Sequence, residues 1–354
     1  MGNAAYQVKI CDDDENIIAV IDNAIIAHLE WVIADNTVGA MTITIPQIWD
    51  FAYFQAYRTL ILERDIGGGY EVVENRRWFM LDWGHYTDAQ GGKFTYITAH
   101  DSNEILNGYT VAHDEGTGYA DKTDNYDDIC KLVVTENIVS PVDTTRTIAG
   151  ITVASGTGTC GSDTFSLARQ NLLSICQQCA NASWEEGLYL VFDLVNTGPG
   201  TFEMRTYTGQ HGVDHTADSD DPRVVTLEEG RLEVLFSDSA NYIYAGKPIK
   251  TAQNTRWGAP SKFFRRERYV SAQSDVEAAV QMLARAELQR TRPRVVLTGK
   301  IAETDGLRYP VDYQWGDLLS VQYEGYAMDA HITAVGATYD AGNEKLNISV
   351  RGEL

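Results

Sequence analysis

Through the first 105 residues, apolar and polar side chains alternate again and again at strand length, and a period of two leaves room for little except antiparallel β-structure. Residues 6–10, 16–22, 24–35, 39–46, 58–64, 71–83 and 93–100 each read as a strand, with the turn formers Asp12, Asp13 and Asp14, Gly67 to Gly69 and Gly91 and Gly92 between them. Strands joined by short turns rather than helices close into a barrel or a sandwich.

The pattern changes from about residue 106 to 225. Asp124 or Asn125 can cap a helix that carries Tyr126, Ile129, Leu132 and Val133 on one face. A second helix is expected over 166–182, with Ala168, Leu172, Cys176 and Cys179 forming its stripe. Short strands at 147–155, 188–195 and 200–207 make this an α+β insertion, and the acidic turn-rich stretch 215–223 is its exit. Residues 226–354 return to strands at 231–247, 294–304, 316–325, 327–340 and 344–353. One helix interrupts them at 274–290: Ser274, Asp275, Val276 and Glu277 spell a capping box, Val276, Val280, Leu283, Ala284 and Leu288 share a face, and Pro293 forbids continuation. Residues 58–101 also line up with 316–353, strand for strand and turn for turn. The expected fold is therefore mainly β with an α+β insertion: two related antiparallel barrels, 1–105 and 226–354, flanking a domain at 106–225.

A chain of 354 residues is long enough to bury a core in each of two or three domains. Its cysteines, Cys11, Cys130, Cys160, Cys176 and Cys179, are odd in number and irregularly spaced, which fits synthesis in a reducing compartment better than a disulfide framework. The N-terminus has no signal-peptide core, and no stretch approaches the roughly 18 uninterrupted apolar residues of a membrane span. A net charge of −22 argues against general nucleic-acid binding, which needs surplus Lys and Arg. That charge serves solubility, or it forms an acidic wall past which DNA slides without sticking; composition fits both.

The chemical motifs thin out on inspection. Cys176 and Cys179 with His211 and His215 offer two thiolates and two imidazoles, but the gap is far longer than in a zinc finger and both cysteines lie on a helical stripe, so no metal is expected. Residues 156–161 spell G-x-G-x-x-G, yet the helix capped by Asp163, Thr164 or Ser166 would start after the motif, not inside it, so no dinucleotide cofactor is expected. There is no nucleophile elbow, zincin motif or phosphate loop. Carboxylate pairs such as Asp127 with Asp128 and Glu185 with Glu186 are ordinary among 50 acidic residues, and no catalytic residue is expected. A basic strip, Lys262, Arg265, Arg266 and Arg268, preceded by Lys247, Lys250 and Arg256, stands out from the acidic background. It reads either as a solvated strand edge or as a subunit interface that pairs with an acidic neighbour.

Tyr309, Pro310, Val311 and Asp312, then Trp315, Gly316 and Asp317, then Met328 to Ile332 and a last strand ending at Arg351 and Gly352 resemble the final barrel of the tail-tip (baseplate) hub proteins of long-tailed bacteriophages, including the siphophage hub-like family. Tyr126 to Ile129, Val134 to Asn137, Leu172 with Leu173, and Gly212, Val213 and Asp214 follow in the same order; His215 departs, since the resemblance implies Arg there. The resemblance implies a non-enzymatic subunit of the virion tail tip, assembled in the bacterial host cytoplasm. It implies a homotrimer whose two tube-like barrels per chain adapt a hexameric tail tube to a threefold tip, next to tail-tube, distal-tail and tail-tip proteins. Phage DNA would pass its lumen without specific binding. The competing expectation is a carbohydrate-binding or adhesion β protein using Trp31, Trp49, Trp78, Trp83, Trp184, Trp257 and Trp315, although most of these sit in apolar strands. A cell-wall hydrolase is a third reading, for which the stop at Leu354 just after the final strand leaves no separate domain.

Overall fold

The computed structural model describes residues 4–112, 121–156, 158–186, 188–216, 218–235, 239–246, 250–253, 265–272, 276–291, 294–301, 307–340 and 342–352. Every second side chain of β1 (Ala5–Cys11) points inward, and after β2 (Ile17–Ile21) the same rhythm puts Leu29, Trp31 and Ile33 of β3 (His28–Ala34) and Met41, Ile43 and Ile45 of β4 (Ala40–Ile45) into the core. β5 (Thr59–Asp65) is buried along almost its whole length, as suits a strand covered on both faces. The single strand expected over 71–83 is broken: β6 (Tyr70–Val72) ends at a turn in which Glu74 and Asn75 have φ of 49° and 50°, and β7 (Trp78–Thr87) then pairs with β8 (Lys93–Asp101). The antiparallel order is β2-β1-β5-β7-β8-β4-β3.

After the short helix α1 (Glu104–Asn107), the insertion holds β9 (Asp121–Asn125), α2 (Tyr126–Val134), β10 (Ile151–Val153), β11 (Ser162–Ser166), α3 (Leu172–Glu185), β12 (Leu190–Gly198) and β13 (Thr201–Thr208). α3 starts at Leu172 rather than Ser166. Residues 162–166 are drawn into an antiparallel pair with β9, and the cap is Asn171, whose side chain accepts from the Ser174 N–H at 3.2 Å.

The last third contains β14 (Asp214–His215), β15 (Val224–Leu235), β16 (Tyr242–Ala245), β17 (Lys250–Gln253), β18 (Glu267–Val270), α4 (Glu277–Arg290), β19 (Arg294–Ile301), β20 (Leu318–Tyr323), β21 (Tyr326–Asp340) and β22 (Asn343–Gly352). α4 begins three residues after the expected start, 277 against 274; Ser274, Asp275 and Pro293 lie outside the described residues. Its Met282 and Ala286 enter the insertion core, while Val280, Ala284 and Leu288 cover the small sheet β17-β16-β18.

β15 pairs with β19, β19 with β22, β22 with β21, β21 with β20, and β20 with β15, so the hydrogen-bonded strands of this region follow one another in a ring. β21 also pairs with β3, from Ala334 opposite Ala34 to Asp340 opposite His28. The N-terminal and C-terminal β regions are thereby fused into one sheet of 14 strands, and one core runs beneath both. Tyr6 meets Tyr339 edge-on at 5.5 Å, Trp31 stacks on Tyr309 at 6.1 Å, and the buried Arg64 guanidinium grips Glu344 with Nε and Nη2 at 2.9 and 2.6 Å. Of the described residues 47% are in strands and 19% in helices, which makes the chain mainly β.

At the seam, a Cβ on Gly336 would come within 2.6 Å of the Trp31 carbonyl oxygen, and a backbone atom cannot step aside. Gly336→Val should therefore lower stability by about 1–3 kcal/mol, the usual range for overpacking, and shift the urea midpoint downward. An unchanged midpoint would mean that β21 and β3 are not joined as described.

Candidate functional site

The left-handed turn at Glu74 and Asn75 aims the next residue, Arg76, into the interior. Such conformations are costly for non-glycine residues and persist where the surroundings hold them. Here the Asn75 side chain donates to the Asn196 carbonyl at 3.1 Å, and Glu74 accepts from the Trp315 N–H at 3.1 Å. Arg76 Nη1 lies 3.0 Å from Asp101 Oδ2 and 2.7 Å from Asp193 Oδ1, and its guanidinium covers the Trp315 ring at 4.8 Å. One buried cation thus joins the first β region (Asp101), the insertion (Asp193) and the last third (Trp315). Burial pushes the Asp101 carboxyl up to about 6 against the pull of Arg76, and it raises Asp193 as well. His211 packs edge-on against Trp315 at 4.1 Å; burial, with Arg76 nearby, brings it down to about 3, so it is neutral at any ordinary pH.

Of the segments that carry the sequence resemblance, those around Gly212 to Asp214 and Trp315 to Asp317 meet at this junction, while Tyr126, Ile129, Val134, Leu172 and Leu173 belong to the insertion core. Asp317 accepts from the Val213 and Gln314 N–H groups, both at 2.7 Å, and Gly212 packs so closely on Asp317 that a Cβ would not fit. His215 sits where the resemblance implies Arg: its Nδ1 contacts the Asp221 carbonyl at 3.0 Å and its Nε2 lies 3.7 Å from Asp317. Tyr309 is fully buried, His331 stacks on Tyr189 at 4.4 Å, and Arg351 covers Trp184 at 3.8 Å. The Tyr189 hydroxyl donates to Asp35, whose carboxyl burial lifts to about 7. These residues seal contacts between segments.

The outward face of the fused sheet is shared by both β regions. One row of opposed residues runs Lys345, Thr338, Glu30, Thr42, Thr98 and Asp82 across six strands. The adjacent row runs Asp340, His28, Thr44, Tyr96 and Gly84, and the other neighbour runs Asn347, Gly336, Val32, Ala40 and His100. Across these rows there are three carboxylates and one Lys; the remainder is mostly Thr, Asn and small residues. Such rows lack the surplus of Lys and Arg that a polyanion needs.

Of the basic strip, Arg265, Arg266 and Arg268 are described and Lys262 is not. Arg265 is exposed, pairs with Glu267 at 2.5 Å and covers the Tyr242 ring at 4.1 Å; Arg266 is exposed beside it; Arg268 reaches Glu287 of α4 at 3.1 Å. Cys176 and Cys179 lie in the insertion core with Cys130, whereas His211 and His215 belong to the junction, so the four are not brought together. Residues 158–161 run into strand β11 rather than a helix, and Cβ atoms on Gly156 and Gly161 would strike the carboxylates of Asp128 and Glu186. A pyrophosphate has no place there. Trp31, Trp78, Trp184 and Trp315 are buried, and Trp49 and Trp83 pack on the core. A cavity of about 490 Å³ opens beside Asp35, Trp184 and Tyr189, but Arg351 and His331 already occupy the aromatic faces that a sugar would need. Arg76, Asp101 and Asp193 gave no signal in the sequence, because they look like ordinary surface charges.

Replacing Arg76 by Leu strands two buried carboxylates and should cost about 3–5 kcal/mol by urea unfolding, with Asp101→Asn plus Asp193→Asn restoring part of it. The raised carboxyls set a pH dependence. In the folded protein Asp35 and Asp101 keep protons that the unfolded chain releases near its ordinary carboxylate range, so stability declines as pH rises from about 4 to about 7 and is flat beyond. Asp35→Asn should then be more stable than the parent at pH 7.5, by on the order of 1 kcal/mol, with the gap closing toward pH 4.5. A variant less stable than the parent at both pH values contradicts this.

Residues 249–350 match the model of the siphovirus ReqiPepy6 Gp37-like protein family. No curated protein sequence matches the chain. Among solved structures, a tail protein from Neisseria meningitidis MC58 is similar with a TM-score of 0.58 at 13% identity, covering 99% of this chain and 97% of that one. The 43 kDa tail protein of prophage MuSo2 from Shewanella oneidensis is similar with a TM-score of 0.57 at 12% identity, covering 98% and 96%. The chain therefore has, over nearly its whole length, the fold of phage and prophage tail proteins.

Proposed function

We propose that the protein is a non-enzymatic hub subunit of a phage tail tip. In this reading the segments 1–105 and 226–354 act as two related tube-forming barrels with 106–225 inserted between them. Three chains close into a ring that adapts a hexameric tube to a threefold tip, next to tail-tube, distal-tail and tail-tip proteins in the virion. The observation that carries the reading is the outward face of the fused sheet. Both β regions contribute to it in register, and its Thr-rich, weakly acidic rows suit the wall of a channel that must pass DNA without holding it.

Contacts from the N-terminal β region of one chain to the C-terminal β region of the next would be heterologous and would close after three copies. Arg265 and Arg266, exposed on the strip that also includes Lys262, are assigned to such a contact, where Arg–carboxylate pairs orient the neighbour more than they add affinity. Arg268, which also meets Glu287 of its own chain at 3.1 Å, belongs to the same strip and is assigned with them. Particle masses of the purified protein by mass photometry, over rising concentration, should show trimers, and electron micrographs should show rings. Arg265→Glu with Arg266→Glu should weaken assembly in a salt-dependent way and leave the monomer folded. Monomers or twofold dimers alone at high concentration would overturn the ring, and normal assembly of the reversed variant would remove the strip from the interface.

A further inference from the structure

The fused sheet ends at β2, which among the described residues pairs only with β1. Edge strands are commonly protected by Lys or Pro, because an open row of backbone groups invites another chain. β2 reads Ile17, Ile18, Ala19, Val20, Ile21 and carries neither. Its register against β1 shifts between Ile10 and Cys11, which leaves Ile18 as an extra residue with none opposite it. Ile17, Ile18 and Val20 are exposed, Ile17 to 56%, whereas Ile21 is fully buried. The charges stand at the ends of the strand: Asp13 and Asp14 before it and Asp22 after it, all exposed. The small sheet β17-β16-β18 has the opposite character. Ile243 and Ala245 turn one face to α4, so alternation puts Tyr242 and Tyr244 on the other, where Tyr244 stands opposite Tyr269 and Arg265 covers the Tyr242 ring at 4.1 Å. β18 is an edge of that sheet among the described residues, Tyr269 on it is 58% exposed, and Arg265 and Arg266 stand exposed at its start.

We infer that β2 of one copy packs along β18 of the next, with Ile17, Ile18 and Val20 against Tyr269, and with Asp13 and Asp14 set against Arg265 and Arg266. The inference rests on the copy-to-copy contact proposed above and names the surface that the Arg265 strip meets. Complementary charge selects this occupant. Two β2 edges laid together would bring Asp13, Asp14 and Asp22 of one chain against the same acids of the other, whichever way the strands ran, and like charges face to face are destabilising. The contact is therefore heterologous, which is the kind that closes a ring. Tyr and Arg are the residue types that interfaces concentrate, and β18 supplies both. The division of labour follows from exposure. Ion pairs at an open surface contribute little affinity, so the apolar side chains hold the two copies together while the charges fix which edges meet.

Hydrogen exchange of the full chain, at concentrations where ultracentrifugation finds monomers and where it finds assemblies, reads the contact directly. The amides of 17–21 and of 267–270 should both exchange more slowly in the assembled protein. Ile18→Lys, which puts a charge on the exposed bulge, should raise the concentration at half-assembly by about tenfold or more and leave the melting of the monomer unchanged. Asp13→Arg with Asp14→Arg should weaken assembly in the same way, and adding Arg265→Glu with Arg266→Glu should restore it, because the charges are then only exchanged between the two edges. Trimers in which 17–21 exchanges as fast as in the monomer would overturn this contact and leave the ring standing. Open filaments with both segments slowed would support the contact and remove the ring. Twofold dimers slowed at 17–21 alone, a four-site variant that assembles no better than the two-site one, or monomers at every concentration would overturn the contact; the exchange pattern of the unaltered protein decides even where a variant fails to fold.

Discussion

Arg76 cannot lose its charge and cannot reach water, and the packing around it follows from that. A buried guanidinium is tolerated only when carboxylates and ring faces replace its hydration. Asp101, Asp193 and Trp315 do so from three widely separated parts of the chain. Each must be brought to the same spot, which requires the left-handed turn at Glu74 and Asn75, the seating of β12 against the first β region, and the loop ahead of β20 folded back over both. Glu74 completes the knot by holding the Trp315 backbone. A network of this kind adds little net stability over an apolar core, but it discriminates sharply against any arrangement that leaves one member unpaired.

The same constraint explains why two β regions far apart in sequence act as one body. With the junction closed, β21 lies beside β3, the ladder between them continues the sheet, and the core beneath is shared by Tyr6, Trp31, Tyr309 and Tyr339. Alternation then does the rest. Every inward residue of these strands implies an outward one, and the outward set is led by Thr, carboxylates and small residues, with Lys345 the one Lys or Arg in the three rows. The surface that supports the tail reading is thus a by-product of how the core is built.

Strand-forming segments were legible because their alternation is strict: Leu29, Trp31 and Ile33 go in while Glu30 and Val32 go out. The helix around Ile129 was legible from its stripe for the same reason. What local pattern could not show were decisions made at long range. Residues 162–166 carry helix caps, yet pairing with β9 claims them as a strand. The run 71–83 reads as one strand, but Arg76 has to turn inward in its middle. Asp101, Asp193 and Arg76 resemble solvated charges until three segments meet. The likeness between 58–101 and 316–353 was visible; the fusion of those regions through β21 and β3 was not, because the ladder joins residues about three hundred positions apart.

A reconstruction of the assembled particle, at a resolution that places side chains, tests the central claim most directly. The account predicts a ring with the row Thr338, Glu30, Thr42 and Thr98 turned to the central channel. A particle in which that row faces the outer surface or is buried against a neighbour would contradict it.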